Sequence, residues 1–195
     1  MPRSTQSQAD ACRFATERAF ESWLRKNHAL SDGVWLLIAR PGSEASTVTY
    51  PQAVEVALCF GWIDGQKKAL DGQHWLQRFT PRRASSLWSK TNRVRAEALI
   101  QSGRMRPSGM AEIERARANG RWETAYDGAR TAAVPPDLQA ALDTRPDART
   151  FFAQLNAANR YAVLWRVQTA KRPETRAKRI EALVAMLARG EKIHG

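Results

Sequence analysis

The pattern of apolar residues changes at Pro81, and this change limits the folds that the chain can adopt. Before Pro81, short β-prone runs lie on both sides of the Asp71-Gly72 pair, which favours a tight turn with positive φ. After Pro81, apolar residues recur at helical spacing up to Gly190. The pattern predicts an α+β fold, in which a small antiparallel sheet of two or three strands packs with helices and a C-terminal helical module follows.

The first part of the chain supplies the predicted strands. These are short, apolar or aromatic runs at residues 34–39, 62–65 and 73–79. An amphipathic helix is predicted from Cys12 to His28, because its apolar residues recur at helical spacing. A second helix is expected to begin at Thr49, whose hydroxyl can cap the first turn with Gln52 as the capping-box partner.

Two further helices are predicted between the sheet and the middle of the chain. Ser89 can cap a helix that reaches Gln101, and Ser108 can cap one that reaches Asn119. A glycine follows each of these helices closely, which is typical of a helix end.

Residues 123–136 are the best candidate for a domain boundary. They are mostly small or polar and end in Pro-Pro, which favours an extended backbone. We therefore predict a disordered tail at residues 1–10, an α+β domain at 11–125 and a helical module at 126–195 packed on the first domain. Three or four helices are expected in the module.

The charge balance indicates what kind of partner the chain prefers. The sequence holds 31 Lys and Arg against 19 Asp and Glu, a formal net charge of +12. Such a protein attracts anions, which include nucleic acids, phosphorylated ligands, acidic proteins and anionic membrane surfaces. The competing interpretation is that a composition rich in arginine and alanine reflects a GC-rich genome.

The sequence favours a cytoplasmic location. No apolar run is long enough to cross a bilayer, and the N-terminal residues lack the continuous apolar core of a secretory signal. The two cysteines, Cys12 and Cys59, do not form a disulfide framework, which fits a reducing compartment.

Basic and aromatic residues are densest between residues 60 and 106. Arginine offers a planar fork of donors that suits phosphate or carboxylate, and tryptophan offers a flat stacking face. A ligand-binding surface is therefore predicted from Trp62, Asp64, Arg78, Arg82, Trp88, Lys90 and Arg104. In the alternative interpretation the tryptophans are core residues, the arginines form a solvated face, and Asp64 is their ion-pair partner.

Candidates for catalysis are few. Asp64 is a weak candidate for a general base, since a carboxylate beside arginines is usually an ion-pair partner. Cys59 would need a nearby base to act as a nucleophile, and His74 is the one candidate, so a buried, unreactive thiol is the competing interpretation. The histidines show no metal-ligand spacing, and no glycine-rich phosphate loop is present, so neither a metal nor a cofactor is predicted.

Several runs in the sequence resemble the bacteriocin-protection, YdeI/OmpD-associated (OmdA-like) family. They include CFGWIDG at 59–65, RFTPR at 78–82, SLWSKTN at 86–92, GRM at 103–105 and AKRPETRAKRI at 170–180. The resemblance extends over about residues 13–190. It implies an α+β N-terminal region and a helical C-terminal module, together with a link to protection from bacteriocins and cationic peptides, without an agreed catalytic mechanism.

These observations favour a non-enzymatic stress-resistance protein that binds an anionic small molecule or an acidic protein through its basic, tryptophan-containing surface. One alternative is a nucleic-acid-binding protein. Another is an enzyme that acts on a small anionic substrate through Asp64.

Overall fold

The chain forms two compact units in the computed structural model, which describes residues 11–195. Unit 1 comprises the described residues up to Trp88 and Asn92–Thr124, and unit 2 comprises Ser89–Thr91 and Ala125–Gly195. The predicted disordered tail at residues 1–10 lies outside the described residues. The domain limits at 11–125 and 126–195 stay a prediction.

Unit 1 is built on a three-stranded antiparallel sheet in the order β1-β3-β2. The strands are β1 (Val34–Ala39), β2 (Trp62–Ala69) and β3 (His74–Pro81). The accompanying helices are α1 (Glu17–Asn27), α2 (Tyr50–Cys59), α3 (Lys90–Gln101), whose first two residues belong to unit 2, and α4 (Pro107–Ala118). The predicted α+β class is confirmed.

A buried glutamine supports an irregularity in β2. The register of β2 against β3 shifts between Asp64 and Lys67. The Gln77 side-chain amide donates to the carbonyl oxygens of Gly65 at 3.0 Å and Gln66 at 3.2 Å. Gln77 is buried, so it supplies hydrogen bonds that the disturbed ladder cannot provide.

Local capping explains where α2 begins. The Thr49 hydroxyl accepts from the backbone N–H of Gln52, and the Gln52 side chain accepts from the backbone N–H of Thr49. This is the predicted capping box. Gly61 follows the helix with a φ of 75°, a left-handed conformation that glycine adopts without strain.

The predicted start of α1 at Cys12 is wrong. Residue 12 is extended beside β1: its N–H donates to the carbonyl of Trp35 at 2.8 Å, and its carbonyl accepts from Leu37 at 2.9 Å. The helix starts after Thr16, whose hydroxyl accepts from the N–H of Ala19. Strand-like pairing therefore replaces the first helical turn that the apolar spacing suggested.

Two predictions about turns and caps are also wrong. Gly72 does not have a positive φ. The Asp71 carboxylate accepts from the N–H groups of Gln73 and His74 in this turn. Ser108 does not cap α4. Pro107 takes the first position of that helix, where the missing N–H of proline has no cost.

An aromatic cluster fills the core between α1 and the sheet. The rings of Phe20 and Phe79 lie 5.7 Å apart and are fully buried. Trp23 meets Trp62 edge to face at 5.9 Å. The Trp62 indole N–H donates to the carbonyl of His28, so the end of α1 is held against the start of β2.

The start of α4 lies directly against the end of α2. A β-carbon on Gly109 would lie 2.7 Å from the carbonyl oxygen of Leu58 and still closer to that of Cys59. A β-carbon on Gly61 would lie 2.8 Å from the carbonyl oxygen of Ser108. The two glycines therefore permit a backbone approach that a side chain would prevent.

Unit 2 contains a bundle of helices, as predicted for the C-terminal module. They are α5 (Pro136–Asp143), α6 (Pro146–Gln154), α7 (Ala157–Gln168) and α8 (Pro173–Ala188). Their shared core includes Leu138, Phe152, Val163, Ile180 and Leu187. Within residues 11–195, no helix is both long and apolar enough to cross a membrane.

An arginine joins α5 to α8 within unit 2. The Arg176 guanidinium donates to both carboxylate oxygens of Asp137, at 2.5 and 2.8 Å. This hydrogen bonding lowers the pKa of Asp137. The pair is a bidentate contact, the strongest geometry for an arginine and a carboxylate.

We predict that Gly109→Ala destabilises the protein by about 1–3 kcal/mol, because the new methyl group would collide with the carbonyls that end α2. Alanine normally stabilises a helix by about 1 kcal/mol relative to glycine, so a loss would identify the collision as the dominant effect. Urea unfolding measures the difference. Gly72→Ala is the control, since open space surrounds that position, and equal stabilities for the two variants would contradict the prediction.

Candidate functional site

A narrow basic cleft lies in unit 1 where the chain leaves β3 and where α4 ends. Its polar and aromatic lining consists of Arg82, Arg83, Ser86, Trp88, Glu112, Arg115, Asn119 and Arg121. We call this set the basic cleft. The space that a water-sized sphere can occupy is about 10 Å³, enough for roughly one water molecule or one oxygen atom of an anion.

Short turns position both sides of the basic cleft. The Ser86 hydroxyl accepts from the N–H of Arg83 at 2.9 Å and stabilises the turn after β3. On the other side, Gly120 ends α4 with a φ of 71°. The Asn119 side chain then accepts from the N–H of Arg121 at 3.2 Å, so Arg121 is directed by the helix end.

Two tryptophans and two arginines form a layered contact beside the cleft. The Arg82 guanidinium lies 3.6 Å from the ring centre of Trp88. Trp88 packs edge to face on Trp122 at 4.8 Å, and Arg117 lies over Trp122 at 5.2 Å. Arg82 is 6% exposed and also donates to the carbonyl of Leu87, so its charged group is held rigidly.

The basic cleft carries an excess of positive charge. Four arginines and a single carboxylate, Glu112, line it. Arg115 bonds to that carboxylate at 2.9 Å. The Nε of Arg121 is buried and has no hydrogen-bond partner among residues 11–195. A buried donor without a partner costs free energy.

The structure brings two of the predicted site residues together. Arg82 and Trp88 contact each other and both line the basic cleft. Trp88 is 3% exposed, so its ring supports the arginine and does not offer an open stacking face.

Trp62 and Asp64 occupy other positions on β2. Trp62 is 1% exposed and lies in the aromatic core of unit 1. Asp64 is half-buried and accepts a hydrogen bond of 2.7 Å from the hydroxyl of Tyr50. A phenol, rather than an arginine, is therefore the partner seen for this carboxylate.

The three remaining predicted residues contact residues outside the basic cleft. Arg78 on β3 lies 5.7 Å from the ring centre of Trp35 on β1. Lys90 in unit 2 forms an ion pair of 2.9 Å with Asp127. Arg104 forms ion pairs with Glu17 and Glu55 on α1 and α2, so two carboxylates balance its charge.

Sequence reasoning missed the contribution of α4. Arg115 and Arg121 lie more than thirty residues from Arg82 in the chain, and their proximity to it depends on the fold. One signal was available. Arg121 directly follows the Asn119-Gly120 pair, and a glycine in this position marks the end of a helix.

Cys59, the candidate nucleophile, is buried at the end of α2. Burial raises the pKa of its thiol to about 11. The thiolate is the reactive form of cysteine, and a higher pKa makes it scarcer at neutral pH. The competing interpretation of a buried, unreactive thiol fits this environment.

Comparisons with known families match the two ends of the chain separately. Residues 12–112, more than half of the chain, match the family described as domain of unknown function (DUF8412), and the chain belongs to this family. Residues 131–190 match the family described as Bacteriocin-protection, YdeI or OmpD-Associated, which confirms the resemblance for the C-terminal part of the chain. The motifs at 59–65, 78–82, 86–92 and 103–105 that also suggested this resemblance lie within the DUF8412 match instead. No curated protein and no solved structure matches the chain.

We predict that Cys59 resists thiol reagents in the folded protein. A rise of its pKa from 9.0 to about 11 lowers the thiolate fraction about 100-fold at neutral pH, and burial blocks access as well. A Cys12→Ser variant isolates this thiol for reaction with Ellman's reagent. Reaction should be slow at neutral pH, accelerate toward alkaline pH and become rapid in denaturant. Fast reaction of the native protein at neutral pH would contradict the prediction.

Proposed function

We propose that this member of the DUF8412 family is a non-enzymatic protein of bacteriocin or cationic-peptide protection, and that it binds an anionic ligand through the basic cleft. The ligand carries a phosphate or carboxylate group, and one oxygen atom of that group enters the cleft beside Arg82, Arg115 and Arg121.

The observation that carries the proposal is the buried Nε of Arg121. Arg121 lines the basic cleft, and its buried Nε has no hydrogen-bond partner in the described part of the chain. Buried polar groups in proteins nearly always have a partner. An anion would supply one and would also gain from the surrounding guanidinium groups, because hydrogen bonds between charged groups are the stronger ones.

Rigidity of the cleft also supports binding. The Arg82 guanidinium lies against Trp88 and donates to the carbonyl of Leu87, so little side-chain freedom remains to be lost when a ligand arrives. The small volume excludes a whole nucleotide from the interior, so the cleft suits the terminal group of a ligand or an acidic side chain.

The surroundings of the two catalytic candidates favour binding over catalysis. Burial keeps the Cys59 thiol protonated at neutral pH. Asp64 is engaged by the Tyr50 hydroxyl and contacts none of the arginines that line the cleft through any hydrogen bond described for residues 11–195. Neither group therefore adds a reactive centre to the basic cleft.

The charge of the chain bears on how protection would work. A protein with a net charge of +12 repels cationic peptides, so direct capture of such a peptide is electrostatically unfavourable. We therefore propose that protection proceeds through an anionic partner that the basic cleft recognises. On this proposal the protein acts on the target of the bacteriocin or in the stress response, and it does not bind the cationic peptide itself.

The proposed function predicts that Arg121→Gln weakens binding of pyrophosphate about tenfold or more, since a charged hydrogen bond in a buried position is lost. Isothermal titration calorimetry at low and moderate salt measures the affinity. Arg18→Gln on the exposed surface of α1 is the matched control, because it removes the same charge away from the cleft. It should leave the affinity almost unchanged.

Two outcomes would overturn the anion site. One is equal weakening by Arg121→Gln and Arg18→Gln, which would assign the effect to net charge alone. The other is the absence of pyrophosphate binding at low salt. A single-stranded oligonucleotide tests the nucleic-acid alternative: tight binding with a steep loss at higher salt, insensitive to Arg121→Gln, would favour that alternative.

A further inference from the structure

A second cavity lies within unit 2, on one face of α7. Its lining consists of Tyr126, Ala158, Tyr161, Ala162, Trp165, Arg166 and His194. We call it the aromatic cavity. Its volume is about 430 Å³, which falls within the range of small-molecule sites. It has no residue in common with the basic cleft.

The spacing of residues on α7 creates the shape of the aromatic cavity. Ala158, Tyr161, Ala162 and Trp165 recur at intervals of three and four and therefore share one face of the helix. The two alanines are small and lie on the same helix face as the two aromatic residues, so they leave space beside the rings. Space beside aromatic rings can admit a flat ligand.

A buried asparagine holds the C-terminal segment at the rim. Asn159 is 2% exposed, and its carbonyl oxygen accepts from the N–H groups of Ile193 at 3.1 Å and His194 at 2.8 Å. Its amide donates to the carbonyl of His194 at 3.2 Å. Three hydrogen bonds from one residue therefore fix the backbone that carries the His194 imidazole.

The two aromatic residues of α7 differ in how their side chains are held and exposed. The Tyr161 hydroxyl donates to the backbone carbonyl of Asp127 at 3.1 Å, which fixes the ring as a wall. Burial raises the pKa of Tyr161 to about 12, so this wall is uncharged at neutral pH. Trp165 is 39% exposed and is one of the few large apolar residues described as exposed. Its indole face is therefore accessible for stacking.

The charge of the lining decides which flat ligand fits. Arg166 carries a positive charge at the cavity, and His194 adds an imidazole. Among the lining residues that the structure describes, none has a carboxylate. A negative group beside aromatic rings would strengthen the binding of a cation, but the Arg166 guanidinium in this cavity would repel a cationic ligand. A planar anion gains from both the rings and the charge.

We propose that the aromatic cavity binds a nucleoside monophosphate, with the base stacked on Trp165 and the phosphate directed to Arg166 and His194. This site is separate from the anion site proposed for unit 1. Its ligand combines a flat heteroaromatic ring with an anionic group.

Titration calorimetry with the four ribonucleoside 5′-monophosphates tests the proposal on the full chain. At least one of them should bind. Two fragments serve as controls: ribose 5-phosphate lacks the base, and the corresponding nucleoside lacks the phosphate. The affinity of each fragment should be lower than that of the nucleotide by about tenfold or more. No binding by any of the four nucleotides, or equal binding by ribose 5-phosphate, would overturn the proposal.

Variants assign the binding to the aromatic cavity. Trp165→Ala should weaken nucleotide binding about tenfold or more, because base stacking is lost. Arg166→Gln should weaken it in a salt-dependent manner, while Arg172→Gln, an exposed arginine of the same unit, should not. Circular dichroism and the Tm show that each variant is folded. Unchanged affinity in folded Trp165→Ala would refute the site.

Arg121→Gln separates the two proposed sites. If nucleotides bind in the aromatic cavity, Arg121→Gln leaves their affinity unchanged even where it abolishes pyrophosphate binding. If Arg121→Gln removes nucleotide binding and Trp165→Ala does not, the nucleotide phosphate occupies the basic cleft, and the aromatic cavity is refuted while the proposed function stands.

Discussion

The backbone contact between the end of α2 and the start of α4 positions α4 and, with it, the residues that α4 contributes to the basic cleft. Gly109 permits this contact, and Gly61 ends α2 at the same place. Because α4 carries Glu112 and Arg115, its position brings both residues to Arg82, which follows β3. A small change at a glycine that lines no cleft would therefore alter the electrostatics of the proposed site.

The fold was predictable where short-range interactions determine it. Thr49 and Gln52 form a complete local capping box, so the start of α2 was evident from four consecutive residues. The segment between Cys12 and the start of α1 was not predictable in this way. Its apolar spacing suits a helix, but pairing with β1 offers backbone hydrogen bonds to residues about twenty-five positions away, and a local pattern does not report such a partner.

The candidate site was predictable only in part, for the same physical reason. Arg82 and Trp88 are six residues apart, and a dense basic and aromatic segment marked both. Arg104 looked equivalent in the sequence, yet it pairs with Glu17 and Glu55, which are distant along the chain. Whether a carboxylate lies beside an arginine depends on tertiary packing, which places Arg104 between two carboxylates and Arg82 against the ring of Trp88.

The irregular register of β2 also influences how the protein behaves at high concentration. A three-stranded sheet has two edges, and a regular edge strand can add a strand from another molecule. The bulge after Asp64 interrupts one edge, and Lys67 and Lys68 place charge along it. The extended backbone at Cys12 covers part of the other edge. Both edges are thus protected against intermolecular strand addition, the first step toward amyloid-like aggregation.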